Sequence, residues 1–197
     1  AKPLLISDLI EHALRSNPTS EIVSRRCEGD IHRYTMQDAA QRSKKAANAL
    51  IKLGAQPSDR IATLAWNNYR HFELYFAVSG IGSVLHTINP RLFPEQLVYI
   101  INHAEDRWIF VDLTFVPLLE AIQDQIPNVE GFVIMTDEAT MPDTTLNNVI
   151  CYESLISEQS DQIEWPTFDE ISLRPTLTFD RISIRLSQQE GSGQINL

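Results

Sequence analysis

The sequence predicts an α/β fold, a doubly wound and mostly parallel sheet with flanking helices. Three observations lead to this prediction. Strand-like and helix-like segments alternate from residue 60 to residue 135. The strand-like segments are short apolar runs between turn residues, which is typical of buried strands. Residues 72–84 are apolar nearly all round, so a helix there would be buried on most sides.

The first elements are a helix and a hairpin. Residues 4–15 place apolar side chains at helical spacing, and Asn17-Pro18 ends that helix. Residues 21–24 and 31–34 are strand candidates. Gly29 lies between them and supplies the positive φ that a tight turn needs, so the two segments are predicted to form a hairpin.

A long helix is predicted to start at Thr35. Thr35 and Asp38 have capping-box spacing, because a hydroxyl residue is followed three positions later by an acid. Apolar residues then hold one face over about five turns, until Gly54 supplies a left-handed cap. The apolar run 60–66 follows as a buried strand.

The rest of the chain continues the alternation. Asn67-Asn68 suits a helix start, while Gly80 and Gly82 indicate a close backbone approach or a cap. The remaining predicted elements are a strand at 84–88, a helix beginning at Pro94, a strand at 108–111, a helix at 114–125, a strand at 131–135, a surface loop at 137–148 and a short helix at 151–157.

Composition excludes some functions. The chain has 197 residues and a net charge of −10, which argues against a nucleic-acid partner because phosphate binding needs a basic face. No segment approaches the ~18 apolar residues of a membrane span. The N-terminus lacks a signal-peptide pattern, and Cys27 and Cys151 have no metal-type spacing. We therefore expect free thiols and a cytoplasmic location.

An ordered set of motifs resembles the AMP-forming acyl-CoA synthetases of the adenylate-forming superfamily. The resemblance covers residues 4–170 and is nearest to medium- and long-chain fatty-acid–CoA ligases and 3-methylthiopropionate–CoA ligases. The motifs are Tyr34-Thr35, Leu53-Gly54, Asp59-Arg60-Ile61, Trp66-Asn67, Gly82 with Val84, the run 86–96, Tyr99-Ile100, the run 102–106, Cys151-Tyr152-Glu153 and Trp165-Pro166 with Phe168-Asp169-Glu170.

The resemblance implies the N-terminal subdomain of a larger enzyme. Residues 1–170 would be this incomplete subdomain, and residues 171–197 would be a tail that does not match the family. A complete enzyme of this kind uses ATP, Mg²⁺ and coenzyme A, and it converts a fatty or thioether carboxylic acid first to an acyl-adenylate and then to a thioester. The resemblance also implies a homodimer.

The phosphate chemistry of that family is not matched in the sequence. Such enzymes hold the triphosphate with a glycine-rich loop and a lysine, whereas the four lysines here all lie at or before Lys52. The cluster at residues 190–194 contains Gly191 and Gly193 but no lysine, and a flexible end explains it better. We therefore expect no catalytic residue, no cofactor-binding residue, no metal ligand and no bound cofactor in this chain, which we predict to be inactive alone.

Three residues are candidates for a subunit interface or a substrate wall, namely His71, His86 and Arg91. Packed, hydrogen-bonded histidines and an ordinary ion pair are the alternatives. The three tryptophans are predicted to be core or interface aromatics. Asp106 and Asp112, which bracket a strand, are explained as turn residues.

Two further hypotheses remain open at this point. The chain could be a non-catalytic dimerisation or binding module of the same fold, since a piece lacking later elements would expose apolar surface that favours association. It could also be a generic doubly wound protein that is unrelated to the synthetases, and the order of the strands would test this.

Overall fold

The computed structural model describes residues 5–168, which form a two-stranded hairpin and a five-stranded sheet with helices on both faces. The helices are α1 (Ile6–Ser16), α2 (Met36–Lys52), α3 (Tyr69–Gly80), α4 (Pro94–Ala104), α5 (Val116–Ile122) and α6 (Tyr152–Ser157). The strands are β1 (Glu21–Arg25), β2 (Ile31–Thr35), β3 (Arg60–Leu64), β4 (Val84–Thr87), β5 (Trp108–Val111), β6 (Gly131–Ile134) and β7 (Val149–Cys151).

The N-terminal predictions are confirmed in detail. β1 and β2 pair antiparallel, and Gly29 takes the expected positive φ of 102° in the turn between them. α2 begins with a complete capping box. The Thr35 hydroxyl accepts from the Asp38 amide at 3.2 Å, and the Asp38 carboxylate accepts from the Thr35 amide at 2.8 Å. These bonds satisfy donors that a helix start otherwise leaves unpaired.

The five-stranded sheet is parallel throughout, in the order β4-β3-β5-β6-β7. The predicted doubly wound fold class is therefore confirmed. Alternate residues of the strands point to opposite faces. Ile61, Phe110 and Val133 pack toward α2, α3 and α6, whereas Ala62 and Ile109 pack toward α4 and α5. Both faces of the sheet are thus covered, as parallel sheets require.

One predicted helix end was wrong, one predicted helix is only partly α, and one strand was missed, each for a local reason. The helix start predicted at Asn67-Asn68 is confirmed, with Asn68 as the cap of α3, but the helix ends at Gly80 because Gly82 turns the chain with a φ of 81°. The helix expected at 114–125 is α only over its centre and 3-10 at both ends. β7 was missed, since its three residues are too few to show a pattern.

The predicted C-terminal tail and the expected absence of a membrane span are the two remaining expectations. The non-matching tail predicted at 171–197 lies outside the described residues. Within the part that the structure describes, no helix is both long enough and apolar enough to cross a bilayer.

Candidate functional site

The carboxyl edge of the sheet contains a topological switch point between β3 and β5. From β3 the chain runs through α3 to β4 on one side, and from β4 it crosses through α4 to β5 on the other side. Open α/β sheets bind ligands in the crevice that such a reversal opens outside the strand ends. Trp66 and Asn68 follow β3 at this edge, and Asp112 follows β5.

Asp112 joins the two sides of the switch point. Its carboxylate is fully buried and accepts from the Trp66 amide at 2.7 Å and from the Asn68 side-chain amide at 3.1 Å. Burial raises the pKa of Asp112, although these hydrogen bonds act in the opposite direction. The sequence placed Asp112 in a turn, whereas the structure makes it the buried anchor of the loop after β3.

His71 holds the same loop from the other side. Its Nδ1 lies 3.2 Å from the Trp66 carbonyl oxygen, and its Nε2 lies 3.0 Å from the Thr63 hydroxyl. Because a carbonyl only accepts, Nδ1 carries the proton and the Thr63 hydroxyl donates to Nε2. Burial lowers the pKa of His71, and the bond to Trp66 only partly offsets this. A neutral imidazole results.

Trp66 is consequently fixed by both of its peptide groups at the carboxyl edge. Its ring is 44% exposed and lies 5.1 Å from the Phe115 ring, measured between centroids. A cleft of about 280 Å³ lies between β1 and α3. Ile22, Phe72 and Tyr75 line its apolar part, and His71 lines it as well. The arrangement presents rigid apolar surface beside hydrogen-bonding groups.

A buried charged network lies on the α2, α3 and α6 side of the same edge. Arg42 donates to Glu73 at 2.7 Å and makes a two-bond pair with Glu153 at 2.9 and 3.0 Å. Glu73 is fully buried and also accepts from the Tyr152 hydroxyl at 2.8 Å. Burial raises the pKa of Glu73, while the positive charge of Arg42 opposes that rise.

Arg70 extends this network to the hairpin. It donates to Glu28 at 2.8 Å, to Glu153 at 2.8 Å and to the Met135 carbonyl at 2.8 Å. Burial by itself would raise the pKa of Glu153, but the hydrogen bonds and charges of Arg42 and Arg70 prevail and lower it. The network therefore connects the turn after β1, the end of β6, and α6 through fixed charges.

The three residues singled out by sequence occupy different surroundings. His71 is the buried loop contact described above. His86 lies on β4, where its Nδ1 is 2.7 Å from Oδ2 of the fully buried Asp106. Burial raises the pKa of Asp106, and His86 opposes this. Arg91 is exposed after β4, and its amide donates to the Asn89 side chain at 3.0 Å.

The described residues do not fit a nucleotide triphosphate. The lysines they contain lie on α2, where Lys44 pairs with Glu11 at 2.8 Å and Lys52 lies 3.8 Å from Glu158. At the switch point itself the charged group is the buried Asp112 carboxylate, which is negative when ionised. Over residues 5–168, no group of three or more histidine, cysteine or acidic side chains could hold a metal ion. No phosphate-transfer step can therefore be assigned to these residues.

Sequence reasoning missed the charged network. One signal was available, because Glu73 is an acid within an otherwise apolar helical run, and a lone buried charge needs a partner. The identity of the partners was not readable, since Arg42 and Glu153 are 111 residues apart.

Comparisons with known proteins agree with this fold. The chain is 51% identical over 169 residues to the 3-methylmercaptopropionyl-CoA ligase of Ruegeria lacuscaerulensis, covering 86% of this chain and 31% of that protein. It is 46% identical over 167 residues to the medium-chain-fatty-acid–CoA ligase of Ectopseudomonas oleovorans, covering 85% and 31%. The chain thus spans about a third of the length of these curated relatives.

A solved structure shows the same fold at low identity. The coronafacic acid ligase from Pectobacterium brasiliense superposes with a TM-score of 0.72 at 15% identity, over 84% of this chain and 32% of that one. The AMP-binding enzyme family matches residues 10–170, which is most of the sequence. The resemblance predicted from the motifs is confirmed, and the chain belongs to the AMP-binding enzyme family.

Proposed function

We propose that this chain is the N-terminal portion of an ATP-dependent, AMP-forming ligase that joins a fatty acid or 3-methylthiopropionate to coenzyme A. The observation that carries the proposal is the family match over residues 10–170, together with relatives named for thioether and medium-chain acids. Residues 1–170 are the subdomain and residues 171–197 lie outside it. ATP, Mg²⁺ and coenzyme A are the cofactors of the complete enzyme.

In this proposal the sheet is a scaffold and one wall of the acyl site. The apolar cleft between β1 and α3 supports it, because an alkyl chain needs apolar walls and a few fixed polar groups. His71 is the proposed wall residue, since it lines that cleft. His86 and Arg91 are proposed to lie toward a subunit or domain interface, and the exposure of Arg91 supports this for that residue.

We further propose that the chain does not activate an acid by itself. Charge accumulating on phosphate oxygens must be stabilised by clustered amides, a cation or a metal ion. The sequence has no lysine after Lys52, and on α2 Lys44 and Lys52 lie beside the carboxylates of Glu11 and Glu158. A cytoplasmic location is part of the proposal, and it is supported by the two cysteines being free thiols.

A chimaera tests the proposal directly. Residues 1–170 of this chain replace the matching third of the Ectopseudomonas oleovorans relative, and thioester formation from octanoate, ATP and coenzyme A is measured. We expect the chimaera to form octanoyl-CoA, and the isolated chain to release no pyrophosphate under the same conditions. The unmodified relative is the positive control. A folded but inactive chimaera would contradict the assignment, and turnover by the isolated chain would contradict its predicted inactivity.

A second candidate function is a non-catalytic dimerisation or binding module of the same fold. One observation favours it, because Phe93 is 73% exposed and Tyr99 is 60% exposed at the start and middle of α4. Large exposed aromatic side chains are enriched at protein interfaces. Light scattering should then give a homodimer for the native chain and a monomer for the Phe93→Ser, Tyr99→Ser variant. A native monomer would exclude this candidate.

A further inference from the structure

The last described segment, residues 160–168, is named here the strap. Its side chains Ile163 and Trp165 pack against the core between the sheet and α2, α3 and α6. The segment contains no helix or strand. The strap begins on α2, where the side-chain amide of Asn48 donates to the Ser160 carbonyl at 2.7 Å and to the Gln162 carbonyl at 3.0 Å. One side chain thus binds two main-chain carbonyl groups of an otherwise irregular segment.

Trp165 forms the central contact of the strap. Its indole Nε1 donates to Glu11 on α1 at 3.1 Å, and Glu11 is in turn paired with Lys44 on α2 at 2.8 Å. The Trp165 ring lies directly on Gly80, the last residue of α3. A methyl group at Gly80 would overlap the ring, so the contact requires the absence of a side chain there.

Phe168 repeats the arrangement two residues later, just beyond the end of α3. Its ring lies on Gly82, and a methyl group at that position would overlap the ring as well. Gly82 also has a φ of 81°, which residues with a side chain rarely adopt. The sequence indicated a close backbone approach or a cap at Gly80 and Gly82, and in the structure two rings of the strap approach the backbone at these glycines.

We propose that the strap is a latch, separable from the sheet, that docks through two aromatic rings on two glycines. Docked, it joins α1, α2 and α3. An aromatic ring packs against a glycine backbone only where no side chain occupies the space, so each such contact fixes the position of the ring. The strap makes two of these contacts, Trp165 on Gly80 and Phe168 on Gly82. This inference goes beyond the proposed function and does not depend on acid activation.

Hydrogen exchange of the indole N–H protons, followed by nitrogen-15 NMR, reports on the strap and on the sheet separately within one sample. Trp165 reports on the strap, and Trp108, which is buried in β5, reports on the sheet. In Gly80→Ala and in Gly82→Ala, exchange of the Trp165 indole proton should accelerate on the order of tenfold while that of Trp108 stays unchanged. Gly29→Ala is the matched control, because Gly29 also has a positive φ but no atom near its added methyl group.

A further variant tests the proposal even if Gly80→Ala or Gly82→Ala prevents folding. Phe168→Ala removes one ring without altering α3, and it should accelerate Trp165 exchange with Trp108 unaffected. Unchanged Trp165 exchange in Gly80→Ala, Gly82→Ala and Phe168→Ala would overturn the proposal. Parallel acceleration of Trp165 and Trp108 would also overturn it, because the segment would then unfold with the sheet rather than as a latch.

Discussion

The two faces of the sheet are packed by different physical means. On one face, α2, α3 and α6 enclose apolar side chains together with Arg42, Arg70 and Glu73. On the other face, α4 and α5 pack mainly through aliphatic side chains such as Leu97 and Leu119, and the buried charge there is confined to the single pair of His86 and Asp106 among the described residues. Apolar packing accepts several arrangements of similar volume, whereas a buried ion pair is favourable in one geometry only.

The difference assigns a task to each face. The aliphatic face supplies burial, which drives folding but specifies position loosely. The charged face fixes where the hairpin, the end of β6 and α6 meet, because Arg70 and Arg42 bind the Glu28 and Glu153 carboxylates and Arg70 also donates to the Met135 carbonyl. The charged side is therefore the one that sets the geometry of the carboxyl edge.

The largest expected effect comes from removing one buried cation. Arg70→Met keeps much of the side-chain volume but leaves Glu28 with only the more distant guanidinium of Arg26, at 3.8 Å, and Glu153 with only that of Arg42. We expect a loss of about 3–5 kcal/mol in the free energy of unfolding, measured by urea denaturation, because an uncompensated carboxylate stays buried. The control is Arg33→Ala, whose pair with Glu21 is exposed and should be worth at most about 1 kcal/mol. Equal effects of the two variants would contradict the comparison.

A cavity in the aliphatic face should lower the free energy of unfolding by a smaller or similar amount, and a substitution that conserves volume should be tolerated there. Leu119→Ala removes a fully buried side chain from α5, and we expect a cost of about 2–4 kcal/mol. Leu119→Met should cost under about 1.5 kcal/mol, since volume is conserved. Thermal unfolding followed by circular dichroism measures both. If Leu119→Met destabilised as much as Leu119→Ala, the aliphatic face would be as exacting as the charged one.

A pH dependence is the smallest expected effect. Burial lowers the pKa of His71 and of His32 in the folded chain, so the unfolded chain binds these protons first. Stability is then complete above the ordinary histidine pKa near 6.5 and falls as pH drops below it, by at most about 1.4 kcal/mol per pH unit for each group. Urea titrations from about pH 7.5 to about pH 5 cover the range in which histidines titrate. In them, His71→Asn should reduce the dependence of the free energy of unfolding on pH. His103→Asn, at an exposed position of α4, should leave it unchanged.

Local signals made most of the fold predictable. The capping box at Thr35, the turn at Gly29 and the proline that opens α4 each act within a few residues, so sequence reveals them. The parallel sheet followed from the alternation of strands and helices. β7 was not predictable, because three residues carry no periodicity and the strand exists only by pairing with β6.

The candidate site was harder to predict, since its geometry depends on long-range contacts. Asp112 was recognisable as a residue after a strand, but its role follows from the adjacency of β3 and β5, which strand order alone decides. His71 could be predicted to be a packed histidine, and it is one, with partners at Thr63 and Trp66. Its assignment to a substrate wall stays a prediction.

The central claim is that these residues provide scaffold and a charged edge but no place for a triphosphate. Isothermal titration calorimetry of the 197-residue chain with ATP and Mg²⁺ tests it most directly. The account predicts no saturable heat, which corresponds to a Kd weaker than about 1 mM. One-to-one binding with a Kd in the micromolar range would contradict the account.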